Sequence, residues 1–416
     1  MLTCRFLLYL VVGETLSSVA SPVAGDTRRG KFEICPIVTR IIFYFTIIVM
    51  VNSKSSLSGR LLSLDALRGL DMFLLVGMEG IFRALPKLSD NAVNNWLANQ
   101  FQHPEWQGFT IYDLIFPMFI FIVGAAMPFS FSKRLNQPGG KRKLFKHVLS
   151  RTITLAILGA VLWGTPWGAH PFWGFYSVLF RIGVSYFFAA VIMMNTNIRG
   201  QIYWTFGLLI GYWLLLRFIP VPGHGIGDFS KDGNVASYFR DLFADHISYN
   251  FRYVLNIDLI TSISNALFGV LAGQWLLSES TATEKAKWLF FGGVILIVVS
   301  LLSHLDFPIN KHLASPSFTL LTCGISAVLL SLFYWIIDVR GYQKWAFFFV
   351  VIGLNSILIY MSGHFIDWKY TTNAFFEWLM QLAGTPFNLL VFALCYIAVK
   401  WCFLYFLYKK KVFLRV

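Results

Sequence analysis

Charge is scarce in this chain of 416 residues. Only 13% of them are charged, roughly half the share of a soluble globular protein, which is about 25%. That deficit, set beside long apolar runs, excludes an ordinary soluble domain. Cysteine is scarce too. The five, Cys4, Cys35, Cys323, Cys395 and Cys402, show no paired metal spacing. Three of them fall inside apolar runs, which argues against a disulfide framework. There is no G-x-S-x-G elbow, no phosphate-binding G-x-x-x-x-G-K-[ST] loop and no H-E-x-x-H. Neither a fixed-period repeat nor a long low-complexity tract occurs. Acids are fewer than bases, 20 against 34, for a net charge of +14. Such an excess suggests nucleic acid only when the bases form a patch on a soluble domain. Here they sit in short loops between apolar runs, so the reading is membrane topology, with no nucleic-acid partner.

What the chain has is apolar and aromatic mass: 57% hydrophobic residues and 18% aromatic ones. Repeated apolar runs of roughly 17–22 residues are long enough to cross the bilayer's hydrocarbon core as helices. Barrel strands would be shorter and would alternate in polarity. The fold class expected is therefore all-α, a polytopic integral membrane protein with about ten transmembrane helices in one bundle. The expected spans are 62–82, 110–131, 148–164, 175–194, 201–219, 257–277, 287–303, 316–337, 345–363 and 386–407. Lys133, Arg134, Lys141, Arg142, Lys143 and Lys146 crowd the loop after the second span. Arg199, then Lys285 and Lys287, then Arg340 and Lys344, and the tail with Lys409, Lys410 and Lys411 fall on the same side. Lys and Arg mark the cytoplasmic side. Both ends of residues 60–416 are then cytoplasmic, and the loops around His103, at 220–256 and at 364–385 face outward.

Residues 1–59 read as an N-terminal extension outside the functional unit, which is residues 60–416. Arg5 and the apolar run after it faintly resemble a signal peptide. A second run, 41–51, is too short to span. Met50 is an alternative start, because it opens a short basic leader followed by a span.

Ionisable groups within spans are costly and mark cavities or partners. In the first span Asp65, Arg68 and Glu79 fall within about 60° of one another around the helix. Asp65 and Arg68 suit an i,i+3 pair. Glu79 lies roughly 21 Å further along, at the outer surface, on the side of His103. In the second span Thr110 and Asp113 have the spacing of a capping box. Asp113 is therefore either a helix cap or a carboxylate that orients His103. Pro117 frees a carbonyl and kinks the helix beside a cavity. Arg181 in the fourth span needs an anion, as an ion pair or as a ligand site. The sixth span opens on Asp258, Thr261, Ser262, Ser264 and Asn265. The ninth carries Asn355 and Ser356 and ends at His364; such Asn and Ser groups also bond simply between helices. Glu79, His103, Asp113, Arg181, Ser262, Asn265 and His364 together point to a polar cavity open to the outer side. Trp106 is placed to shield His103, whose imidazole can serve as base or nucleophile at neutral pH.

Seven stretches carry a resemblance: SLDALRG (63–69), the stretch from His103 to Gly124, VLFRIGVSYF (178–187), ITSISNALFGVLAG (260–273), FPINKHLASPSF (307–318), DVRG (338–341) and GLNSILIYMSGH (353–364). In that order the chain resembles the heparan-α-glucosaminide N-acetyltransferase family, as a bacterial relative of the lysosomal transmembrane enzyme. Residues 1–59 do not share the resemblance. It implies transfer of an acetyl group from cytosolic acetyl-CoA, as co-substrate, to the amine of a glucosamine-type sugar on the outer side, with no metal. His103 matches the family's catalytic histidine, as base or as transient acetyl carrier. Arg181 matches a family arginine and is expected to bind acetyl-CoA or orient substrate. Where several members have asparagine this chain has Glu79, a carboxylate suited to a substrate ammonium. The expected site is thus His103, Asp113 and Glu79 for catalysis, Arg181, Arg68, Asn355 and Ser356 for acetyl-CoA, and Asn265, Ser262 and His364 for the sugar. The partners implied are the bilayer, acetyl-CoA and the amino sugar, with a homodimer left open. The alternative is an amino-sugar (N-acetylglucosamine) transporter of the inner membrane; no inverted repeat is evident, which weighs against it.

Overall fold

The computed structural model describes residues 61–135, 137–163, 177–242 and 257–414. The expected extension, residues 1–59 with Met50 as its alternative start, lies outside the described residues. The described chain is helical almost throughout. It opens with α1 (Leu62–Phe73), a π-helical turn (Leu74–Met78) and α2 (Glu79–Leu88) in series, followed by the short α3 (Ala92–Asn99). Then come α4 (Ile111–Leu135), α5 (Gly140–Trp163), α6 (Val178–Asn195) and α7 (Ile198–Phe218). A two-stranded antiparallel hairpin, β1 (Pro220–Val221) with β2 (Gly225–Ile226), and α8 (Val235–Leu242) follow. The rest is α9 (Leu259–Leu277), α10 (Ala282–Ser303), α11 (Pro316–Phe333) with a π-helical end (Tyr334–Val339), α12 (Phe347–Leu354), α13 (Ser356–Ser362), α14 (Trp368–Ala383) and α15 (Asn388–Lys409).

Seven of these helical stretches are long and apolar enough to cross a membrane: Ile111–Ser132, Gly140–Leu162, Val178–Asn195, Leu259–Leu277, Ala282–Ser303, Pro316–Val339 and Asn388–Lys409. Of the other three expected spans two are broken, and the third is a continuous helix. The run 62–82 carries four ionisable groups and is interrupted by the π turn. There the carbonyl of Val76 accepts a hydrogen bond from Nζ of Lys400 on α15, at 3.0 Å. A π turn loosens the regular ladder, and a buried cation satisfies the group it frees. The run 345–363 breaks at Asn355 into α12 and α13. The asparagine's amide donates to the Val412 carbonyl at 3.1 Å and its oxygen accepts from Leu414 N–H at 3.0 Å, so the break is stitched to the chain's last residues described. The run 201–219 is one continuous helix, α7, with Arg199 and Arg217 near its two ends.

The bundle's centre is the contact of α4 with α9, and small residues make it close. A Cβ on Gly124 would meet the Ala266 carbonyl oxygen at 2.1 Å, and one on Gly269 the Phe121 carbonyl oxygen at 2.1 Å. Gly269 and Gly273 are four apart, so one face of α9 lets the backbones touch. α4 runs on through Pro117 and Pro128. The residues that meet at these two contacts, Ala266 of α9 and Phe121 of α4, are buried, as are Met118 and Ile122 of α4.

The ends of the bundle are distinguishable. Tyr112, at the start of α4, donates to Glu79 at 3.2 Å, which places α2 and the loop before α4 at one end. Asp338, at the end of the π-helical tail of α11, accepts from Ser63 N–H at 3.2 Å and so caps the start of α1 at the other. The base-rich turn between α4 and α5 is at that second end.

Candidate active site

The loop between α3 and α4, residues 100–110, carries His103. Its shape is set locally. Tyr112 N–H reaches back to the Gln100 carbonyl at 3.0 Å, and Thr110 Oγ1 donates to the Gln102 carbonyl at 2.9 Å. Gly108 has φ +126°, a region where a Cβ is strained. Its N–H donates to the Ile309 carbonyl at 3.0 Å, tying this loop to the one between α10 and α11. Trp106 is held flat on His312, ring centroids 5.5 Å apart, and donates from Nε1 to the Phe229 carbonyl at 2.9 Å. It therefore braces the loop against two others rather than lying over His103.

Asp113 is fully buried and divides its two oxygens. One accepts from Thr110 N–H at 3.2 Å and from its hydroxyl at 3.1 Å. The other lies 2.7 Å from Nδ1 of His103. A carboxylate can only accept, so Nδ1 carries the proton and Nε2 keeps its lone pair. The cap and the histidine partner, alternatives along the sequence, are both present in one side chain. His103 itself is half exposed, its ring 4.8 Å from that of Tyr112. This is a carboxylate-oriented imidazole whose Nε2 keeps its lone pair at the mouth of a bundle, suited to take up a proton or to attack an acyl carbon.

A third group joins them that sequence reasoning had not singled out. Lys311, in the loop between α10 and α11, places Nζ 3.1 Å from Asp113 Oδ1 and 3.2 Å from each ring nitrogen of His103. Burial pushes its ammonium below the ordinary lysine pKa; Asp113 opposes that shift and the charge of Arg181 adds to it. Its loop is stapled. Asn310 accepts from Leu313 N–H at 3.0 Å, and the Ser315 hydroxyl accepts from Asn310 N–H and Phe318 N–H, each at 3.1 Å. Ala314 sits at φ +44°, unusual for a residue with a side chain. The signal available in the sequence was a lysine in a loop on the side where bases are few, directly before a histidine and a serine–proline helix start.

The other expected site residues divide. Glu79 joins the same end: it accepts from Tyr112 and pairs with Arg83 at 2.9 Å, so its charge already has a partner. Arg181 on α6 pairs with Asp258 at the start of α9 and lies 5.3 Å over the Phe116 ring. Its Nε and one oxygen of Asp258 are buried without a partner. Ser262 and Asn265 follow on the first turns of α9, both buried, the Asn265 oxygen again without a partner. His364 is exposed at the end of α13, beside Tyr360. Arg68 pairs with Asp65 at 3.1 Å, toward the far end of α1. Asn355 is engaged by the chain's end, as described above, and Ser356 is buried beside it at the first position of α13. Among the described residues no cluster of His, Cys, Asp and Glu could hold a metal ion.

At the end opposite His103 there is a cavity of about 480 Å³, lined by Leu62, Asp65, Gln343, Lys344, Phe347 and Tyr408 among others. It lies between α1, α12 and α15, at the base-rich end, and is bordered by the same Asp65 that pairs with Arg68.

Comparison with known proteins now bears on this geometry. Residues 60–167, which include the first span, His103 and Asp113, match a family described as a domain of unknown function, DUF5009. The heparan-alpha-glucosaminide N-acetyltransferase of Mus musculus is 29% identical over 426 residues, covering 88% of this chain and 62% of its own length. That of Homo sapiens is 28% identical over 424 residues, covering 87% and 61%. The chain is related to the heparan-alpha-glucosaminide N-acetyltransferases. It spans about three-fifths of the length of those N-acetyltransferases. The relationship runs across nearly the whole chain, through both loops that meet at His103.

Proposed function

We propose that this protein is a transmembrane N-acetyltransferase that moves an acetyl group from cytosolic acetyl-CoA to the amine of a glucosamine-type sugar on the outer side of the membrane. The observation that carries the reading is the 2.7 Å contact of His103 Nδ1 with the buried Asp113, in a chain related to N-acetyltransferases. The base-rich end of the bundle is taken as cytoplasmic, which puts His103 at the outer face and the 480 Å³ cavity where a negatively charged donor arrives. Lys344 at that cavity is a suitable partner for phosphate.

The chemistry follows from the Nε2 lone pair. A sugar ammonium must lose a proton to solvent before its nitrogen can attack. The amine's lone pair then forms the C–N bond and the C=O pair moves onto oxygen, while His103 accepts the second proton of that nitrogen at Nε2 and Asp113 stabilises the imidazolium across Nδ1. Return of the pair breaks the C–S bond, and the thiolate leaves and takes the proton held by His103. In the two-step version Nε2 makes the bond to the acyl carbon first and the thiolate leaves to take a proton from solvent. The amine then displaces the imidazole from the acyl carbon, and the freed Nε2 accepts the amine's proton and passes it to solvent. Both versions use the same residues. Glu79 lies at the same end and supplies negative charge to an arriving ammonium.

The experiment is steady-state release of free CoA by the purified full-length protein in detergent, with acetyl-CoA and glucosamine. Release that disappears in His103→Ala supports the reading. Flux of sugar into vesicles without acetyl-CoA, unchanged in His103→Ala, would replace it with a transporter.

A further inference from the structure

We propose that Lys311 is the catalytic group that binds the acyl oxygen during transfer. The inference rests on the reading above, that the acyl group reacts at or beside His103 Nε2, and adds to it the residue that stabilises developing negative charge.

A reacting acyl carbon approaches the atom that attacks it to about 3–3.5 Å. Lys311 Nζ is 3.2 Å from Nε2, and the carbonyl oxygen lies only a bond length beyond its carbon. With the C=O directed toward Lys311, an acyl group at Nε2 brings that oxygen within hydrogen-bond distance of the ammonium. An ammonium has three donors. Asp113 Oδ1 accepts one, at 3.1 Å, and the side chain keeps an exposed share of 29% at the mouth of the site. An acyl oxygen arriving beside Nε2 takes over the donor that faces the ring. As the C=O pair moves onto oxygen, the oxyanion is held by a cation that is already in place; when the pair returns, the C–S bond breaks and the ammonium keeps its proton throughout.

Placement in advance is what makes such a group effective. The loop that projects Lys311 is fixed from both sides. The Asn310 and Ser315 contacts close it on itself, and the Gly108 N–H donates to Ile309. Tyr212 on α7 donates to the Leu313 carbonyl at 2.8 Å. The charged groups that act on Lys311 are Asp113 across the gap and Arg181 of α6, and the His103 ring faces it at 3.2 Å. Burial, the largest of these influences, lowers its pKa. Activity that needs the ammonium is then lost on the alkaline side below the ordinary lysine value of about 10.4.

The test measures CoA release from acetyl-CoA and glucosamine by the full-length protein across pH, and in parallel His103-dependent cleavage of p-nitrophenyl acetate. Lys311→Met is expected to lower kcat about 10²–10³-fold, as loss of one oxyanion donor does, with KM for acetyl-CoA changed by no more than about twofold. Lys311→Arg keeps a cation and is expected to recover at least about a tenth of the rate and to move the alkaline limb upward by about one pH unit or more. A residue that merely supports the loop would lower the rate at every pH and leave that limb in place. Should Lys311→Met fail to fold, the Arg variant's limb decides. Lys311→Met with kcat within about threefold of wild type, or an Arg variant whose limb does not move, overturns the role of Lys311 and leaves the acetyltransferase reading standing. Ester cleavage that depends on both His103 and Lys311, without CoA release, keeps the role and overturns acetyl-CoA as donor. A wild type active in neither assay overturns both.

Discussion

Asp113 holds Thr110 with one carboxylate oxygen and His103 with the other, at 3.1 and 2.7 Å. The start of α4 and the orientation of the imidazole are therefore set by one buried group, and neither can shift without the other. Substitutions that separate the two tasks show which one activity needs.

Asp113→Asn keeps the size of the side chain and removes its charge. An expected fall in kcat of about 10²–10⁴-fold follows from losing the group that orients and stabilises the histidine, with KM for acetyl-CoA nearly unchanged. Thr110→Val removes the hydroxyl, whose one proton is shared between Asp113 and the Gln102 carbonyl, leaves the N–H contact to Asp113 in place and costs about 1 kcal/mol of stability, with kcat reduced only a few-fold. Steady-state kinetics and thermal unfolding of both variants check this. Equal losses of kcat would mean that the cap, not the histidine contact, matters.

Glu79 and Arg83 are expected to have opposite effects on the acceptor. Glu79→Gln removes the negative charge near His103 and raises KM for glucosamine several-fold. Arg83→Gln releases the carboxylate from its 2.9 Å partner and lowers that KM. This exposed pair contributes at most about 1 kcal/mol to stability, so folding should hardly change. If both variants raise the KM together, Glu79 does not meet the ammonium.

The α4–α9 seam is expected to be intolerant of added volume. A Cβ at Gly269 would lie 2.1 Å from the Phe121 carbonyl oxygen, whereas one at Gly207 on α7 has nothing within 4 Å. Gly269→Ala should cost about 1–3 kcal/mol and Gly207→Ala should be neutral or slightly stabilising. Thermal unfolding in the same detergent compares them directly, and equal unfolding temperatures would show that the seam opens without cost.

Sidedness has its own test. With cysteine introduced into a cysteine-free background at Lys141 or at Lys231, an impermeant maleimide added to intact cells should label only the second. Labelling at Lys141 from outside would invert the orientation and move His103 to the cytoplasm.

What the sequence determined by itself was whatever follows from local composition. Apolar runs long enough for a bilayer make helices because every backbone group must be satisfied within its own segment. The all-α membrane architecture was legible for that reason, and seven of the spans have the length and hydropathy expected. The breaks at Leu74–Met78 and Asn355 were less legible, since each is stabilised by a distant group, Lys400 in one case and the backbone of Val412 and Leu414 in the other. The pairing of Asp113 with His103 was visible as one of two options because ten residues separate them. Lys311 was not, because it lies 208 positions after His103, and nothing in local pattern or charge ties them together. Only the packing of the loop before α11 against the loop before α4, fixed by the Gly108–Ile309 contact and the Trp106–His312 stack, brings the cation to the imidazole. Tertiary structure alone decided that this loop histidine belongs to a group of three.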